Sequence, residues 1–172
     1  PPTASLAQVS PVPASASAVD AANASVVQAC VFAPVQDSTC PTEAEFGVFH
    51  KLPKDSEGIP LRFEKSHVVP LASNVLYGFA IRMNKESGKV RVLARITGPK
   101  GARKIFLRDR AGSSGDGRSL SYDLTLDVLD GFIYGAMVTA PGDPIGPHSM
   151  LVWVEDWQPL AFEFEVVPTD SN

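Results

Sequence analysis

Along most of the chain, bulky apolar residues alternate with polar or small ones. Val75, Tyr77, Phe79, Ile81 and Met83 share one parity, and Gly78, Ala80 and Arg82 fall between them. Val90, Val92, Ala94 and Ile96 repeat the pattern, with Arg91 and Arg95 in the gaps. Leu120, Tyr122, Leu124, Leu126 and Val128 alternate with Ser121, Asp123, Thr125 and Asp127. A period of two fits a half-buried strand, whose successive side chains point to opposite faces. Asp130-Gly131 is the preferred dipeptide of a tight hairpin, because glycine accepts positive φ, so Phe132 to Thr139 should return as a strand. The stretch from Gly146 to Val167 reads as two more strands. Met150, Val152 and Val154 alternate with Leu151, Trp153 and Glu155; after a turn at Asp156-Trp157-Gln158-Pro159, Phe162, Phe164 and Val166 alternate with Glu163 and Glu165.

Elsewhere the signal is shorter. Ala44 to Lys51 puts Phe46 and Val48 on one face and Phe49 on the other, and Leu61 to Val69 alternates again. The charged turn Asn84 to Gly88 makes Val75 to Thr97 read as an antiparallel hairpin. Lys104 to Arg108 fits a short strand, and Pro53–Pro60, Asp109–Arg118 and Pro141–Pro147 read as loops. Seven to nine strands without a long helix predict an all-β fold. Two packed antiparallel sheets, an immunoglobulin-like sandwich, bury one apolar face per strand. A β-barrel is the alternative, because periodicity sets faces and not closure. The expected core is Phe63, Tyr77, Phe79, Ile81, Val90, Val92, Leu124, Leu126, Phe132, Val152, Val154, Phe162 and Phe164.

With 172 residues, 44% of them hydrophobic, the chain can build a sizeable core. The formal charge of -4 is interspersed and forms no basic stripe, which argues against nucleic acid, and no apolar run reaches the length of a membrane-spanning helix. Residues 1–28 are almost entirely Ala, Ser, Val and Pro, a composition that buries little and suits a tether, either behind a removed leader or below a membrane anchor. Residues 29–43 form a cysteine loop and residues 44–172 the β-sandwich domain. Cys30 and Cys40 would close a short loop as a disulfide, which fits an oxidising compartment, periplasmic or extracellular; two free buried thiols are the alternative. Asn23-Ala24-Ser25 matches the N-glycosylation pattern.

The segment Gly146-Pro147-His148, the strand ending Val154-Glu155-Asp156, and Phe162-Glu-Phe-Glu-Val-Val167 resemble the last two strands of bacterial immunoglobulin-like envelope domains. The resemblance covers about twenty residues, counted off that segment, and implies a seven-to-nine-stranded sandwich outside the cytoplasm. It carries over no catalytic residues, and the early cysteine pair and the N-terminal tether are not part of it.

Candidate chemistry is sparse. His50, His67 and His148 lie on separate segments, and no serine sits in a Gly-x-Ser-x-Gly elbow, so no nucleophile and base are placed together by sequence. With Met83, Met137 and Met150 the histidines would suit copper, yet no His-x-His or Met-rich run gathers them; core methionine is the plainer reading. Asp109, Asp116, Asp123 and Asp127 form no calcium loop, and Glu163 and Glu165 lie on the outward side of a strand rather than at a cleft. Trp153, on the parity opposite Val152 and Val154, and Trp157, in the turn, are the best candidates, because exposed aromatics stack on sugars or anchor protein contacts. The first expectation is therefore a non-catalytic binding or assembly module of the bacterial envelope, without a cofactor. Its partner is an envelope protein met through a sheet edge or the tryptophan face. A carbohydrate-binding module using the tryptophans with Tyr134 or Tyr122 is the second. An enzyme sited in the loops, or a copper carrier, follows.

Overall fold

The computed structural model describes residues 39–51, 61–100 and 118–169. Nine strands run through them: β1 (Pro41–Lys51), β2 (Leu61–Lys65), β3 (Val68–Leu71), β4 (Leu76–Met83), β5 (Ser87–Thr97), β6 (Ser119–Leu129), β7 (Phe132–Val138), β8 (Gly146–Val154) and β9 (Leu160–Pro168). The N-terminal tether, Cys30, the 53–60 loop, Lys104–Arg108 and most of the 109–118 loop lie outside these residues. β1 takes in the last three residues of the segment read as the cysteine loop.

Hydrogen bonding follows the order β2-β1-β4-β7-β6-β5-β8-β9-β3. The sheet curls on itself, so that β2-β1-β4-β7 packs against β6-β5-β8-β9-β3. Inward residues of the first half (Phe46, Tyr77, Phe79, Ile81, Ile133) and of the second (Val92, Ile96, Leu120, Met150, Val152, Phe164) form one core. All of these are at most 4% exposed. This is the two-layer solution for strands with one apolar face. β4 and β7 on one side, with β5, β8 and β9 on the other, reproduce the B-E and C-F-G pairing of an immunoglobulin-like sandwich.

The two halves are joined differently along their two sides. On one side a single stretch of chain changes sheets. The Ser66 N–H donates to the Phe46 carbonyl of β1 at 3.2 Å, whereas the carbonyl of the next residue, His67, accepts from Glu165 N–H of β9 at 2.8 Å. β2 is thus antiparallel to β1, and β3 runs parallel to β9. On the other side β6 and β7 pair only at Leu129 and Phe132, beside their turn. There Asp130 and Gly131 both have positive φ, 50° and 81°, the twisted turn that Asp-Gly favours.

Val75 to Thr97 is not a hairpin. β4 pairs with β1 and β7, and β5 pairs with β6 and β8. At the connection Met83 N–H donates to the Gly131 carbonyl and Asn84 N–H to the Cys40 carbonyl, so the chain crosses between layers instead of folding back. Nine of the expected core residues are buried: Tyr77, Phe79, Ile81, Val90, Val92, Val152, Val154, Phe162 and Phe164. Phe63 and Phe132 instead point outward, and Ile133 takes the inward position expected of Phe132. Leu124 and Leu126 face inward but are only half-buried, because β6 is an edge along that stretch.

Candidate functional site

Each half of the sandwich presents an outer face, and the expected site residues are divided between them. On β5 the outward row is Lys89, Arg91, Leu93 and Arg95. Leu93 is in register with Trp153 of β8, and Arg95 with Leu151. Leu151 in turn faces Ala161 of β9. Trp153 and Leu151 are half-buried and Leu93 is 41% exposed, so this is an apolar patch open to water. Arg91 is held aside by Asp123, with Nη2 to Oδ2 at 2.7 Å and Nε to Oδ1 at 3.1 Å, a bidentate pair. This pair lowers the Asp123 carboxyl below its ordinary range through the hydrogen bond to Arg91 and raises the Arg91 guanidinium for the same reason. Arg95, in the middle of the patch, has no acidic partner among the described residues. Leu93, Leu151 and Arg95 escaped sequence reading; the signal was Leu93, the one apolar residue in an outward row of cations.

Tyr134 lies on the opposite outer face, in register with Ala80. Its ring stacks on Phe132 at 6.0 Å and meets Phe49 edge-on at 6.4 Å; Phe49 meets Phe63 at 5.2 Å. Arg82 caps the row, 5.5 Å from the Phe132 ring. The rings cover one another, and Phe49 is only 6% exposed. Burial first, and Asp130 second, push the Tyr134 phenol up. Trp157 is tied into the fold: its indole N–H donates to Thr39 Oγ1 at 3.1 Å, anchoring the β8–β9 turn to the residues before β1. Tyr122 packs against the core. Trp153, Trp157, Tyr134 and Tyr122 therefore form no common stacking platform.

The histidines have separate settings. His50 Nε2 lies 2.9 Å from Glu64, His67 Nδ1 is 3.0 Å from the Glu163 carbonyl, and His148 Nδ1 is 2.9 Å from the Gly146 carbonyl. His148 is 5% exposed and its ring stacks on Phe164 at 5.2 Å. Burial depresses its pKa, against the opposing hydrogen bond to Gly146 and the charge of Asp143. Met83, Met137 and Met150 are all core. Among the described residues no group of three or more His, Cys, Asp or Glu side chains is placed to hold a metal ion. Asp127 pairs with Lys89 at 3.1 Å.

This two-layer geometry has a counterpart among known families: residues 44–167 match the model described as PM0630 beta sandwich domain. The chain belongs to that family. Among curated proteins nothing matches the PM0630 beta sandwich chain. Solved structures similar to it include an immunoglobulin-like protein from Pseudomonas aeruginosa, 16% identical with a TM-score of 0.45, covering 73% of this chain and 92% of that one. A beta-glucosidase from Listeria innocua is 12% identical with a TM-score of 0.34, covering 74% of this chain and 16% of that one. BslA, a bacterial hydrophobin, is 11% identical with a TM-score of 0.29, covering 75% and 97%.

Proposed function

We propose that this PM0630 beta sandwich domain is a non-catalytic, protein-binding module of the bacterial envelope, and that its contact face is the outer side of β5 and β8. The observation that carries the reading is the Leu93–Trp153–Leu151 patch around Arg95. An aromatic anchor among aliphatic residues, with an uncommitted guanidinium beside it, is the composition of a binding hot spot. The extracytoplasmic setting rests on the cysteine pair at 30 and 40 and on the tether-like composition of residues 1–28.

The test is capture from envelope extract on the immobilised chain, with bound proteins read by mass spectrometry. Trp153→Ala should weaken capture by about tenfold or more while the fold survives, as truncation of a hot-spot aromatic does. Tyr134→Ala, on the opposite face, should leave capture unchanged. Equal capture by the wild type and Trp153→Ala would remove this face from consideration.

A further inference from the structure

We infer that β6 is a receptor edge for an extended, basic segment of another protein, which adds to the sheet as a further strand. This does not rest on the Trp153 face. Arg91 of β5 fixes which groups of β6 face outward. Its N–H donates to Glu155 Oε1 at 2.8 Å and its carbonyl accepts from Glu155 N–H at 2.9 Å, so both of its main-chain groups point toward β8. In an antiparallel ladder one residue's N–H and C=O point the same way, and the direction alternates along the strand. Arg91 is in register with Thr125 of β6. That pair is therefore not hydrogen-bonded, and the N–H and C=O of Thr125 point away from β5. Those of Asp123 and Asp127, two residues to either side, do likewise. β7 pairs with β6 only at Leu129, and among the described residues no backbone group meets these three.

The strands at the two ends of the sheet order are blunted. β2 has five residues, three of them the charged Arg62, Glu64 and Lys65, and β3 has four, including Pro70. Short, charged or proline-bearing edges resist strand addition. β6 spans eleven residues without proline, and its inward Leu124 and Leu126 remain half-exposed beside the open edge. An added strand would bury them.

Charge selects the occupant. The cations Arg91 and Lys89 lie on β5, and their carboxylates, Asp123 and Asp127, lie on β6, so the edge presents the negative end of each pair. Lys or Arg at the two matching outward positions of an incoming strand would lie beside them, with β-branched residues between to cover Leu124 and Leu126. A second copy fits poorly: antiparallel pairing about Thr125, which matches all three edge-facing residues, sets Asp123 against the other copy's Asp127 twice.

The probe is a seven-residue peptide, Val-Lys-Val-Thr-Val-Lys-Val, with a Glu-for-Lys peptide as control, added to the ¹⁵N-labelled full chain. We expect amide exchange at Asp123, Thr125 and Asp127 to slow at least tenfold with the Lys peptide and not with the Glu peptide. Thr125→Pro removes an N–H that β5 does not use, so the fold should persist and the protection disappear. Asp123→Lys with Asp127→Lys should reverse the preference between peptides. N-methylation of the peptide amides that face β6 should abolish protection whether or not the proline variant folds. Trp153→Ala should bind the Lys peptide as the wild type does. The inference is overturned by unprotected amides at saturation, by protection surviving N-methylation, by indifference to the Asp variants, or by a dimer that dissociates in Thr125→Pro.

Discussion

Phe46 of β1 and Phe164 of β9 stack across the interior, 4.5 Å between ring centroids and 20° between planes. The contact links the two layers directly, and Phe162 and Tyr77 pack around it at 6.1 and 5.5 Å. Phe46→Ala should cost about 3–5 kcal/mol, the usual loss for a buried phenylalanine. Phe46→Leu, which keeps apolar bulk, should cost less. Chemical denaturation of the three proteins measures the difference.

Gly135 exists for the sake of Phe79. The two are in register on β7 and β4, and a Cβ at 135 would strike the Phe79 ring. Gly135→Ala should therefore destabilise by about 1–3 kcal/mol through overpacking. Phe79→Leu should absorb part of that cost, so the double mutant should be more stable than the sum of the single losses predicts. A thermal-unfolding double-mutant cycle reads the coupling.

His148 should make the domain acid-sensitive. Its pKa is depressed in the folded state by burial, so above the ordinary histidine value both states are neutral and stability is full. As pH falls below about 6.5, the unfolded chain takes up a proton that the folded chain refuses, and stability declines by about 1.4 kcal/mol per pH unit until the lower folded pKa is reached. His148→Gln, which keeps an N–H donor near the Gly146 carbonyl and does not titrate, should flatten that slope between pH 7 and 5. Unfolding in denaturant across this range would reveal an unchanged slope if His148 were not responsible.

Cys40 is 4% exposed at the start of β1. With Cys30 as its proposed partner, alkylation of the denatured, unreduced chain should add no label, and alkylation after reduction should add two. A single or double label without reductant would remove the disulfide from the proposal.

Alternation made the inward faces of β4, β5, β8 and β9 legible, because each carries an apolar row on one parity, and the other parity is largely charged on β5 and carries Glu163 and Glu165 on β9. It failed at the start of β7. Phe132, Ile133 and Tyr134 offer no parity to choose between, and only pairing with β4 settles that Ile133 is inward. It also cannot name partners: Val75 to Thr97 has the pattern of a hairpin, but β4 is already flanked by β1 and β7. Of the candidate site residues, Trp153 was visible because it falls on the parity opposite Val152 and Val154. The division of Trp153, Trp157 and Tyr134 among separate surfaces depends on sheet order, which no local pattern encodes.

The change of sheets at Ser66 and His67 has a kinetic consequence. β3 and β9 are roughly a hundred residues apart in sequence, so their pairing carries the largest loop-closure cost among the described strand pairs. β1, β4 and the β8–β9 hairpin join closer segments and do not wait for it. The parallel pair is therefore expected to form after the rate-limiting step. Val69→Ala, at a fully buried position of β3, should speed unfolding and leave the refolding rate nearly unchanged. During synthesis β3 would stay unpaired until β9 leaves the ribosome, and Pro70 would guard it through that delay.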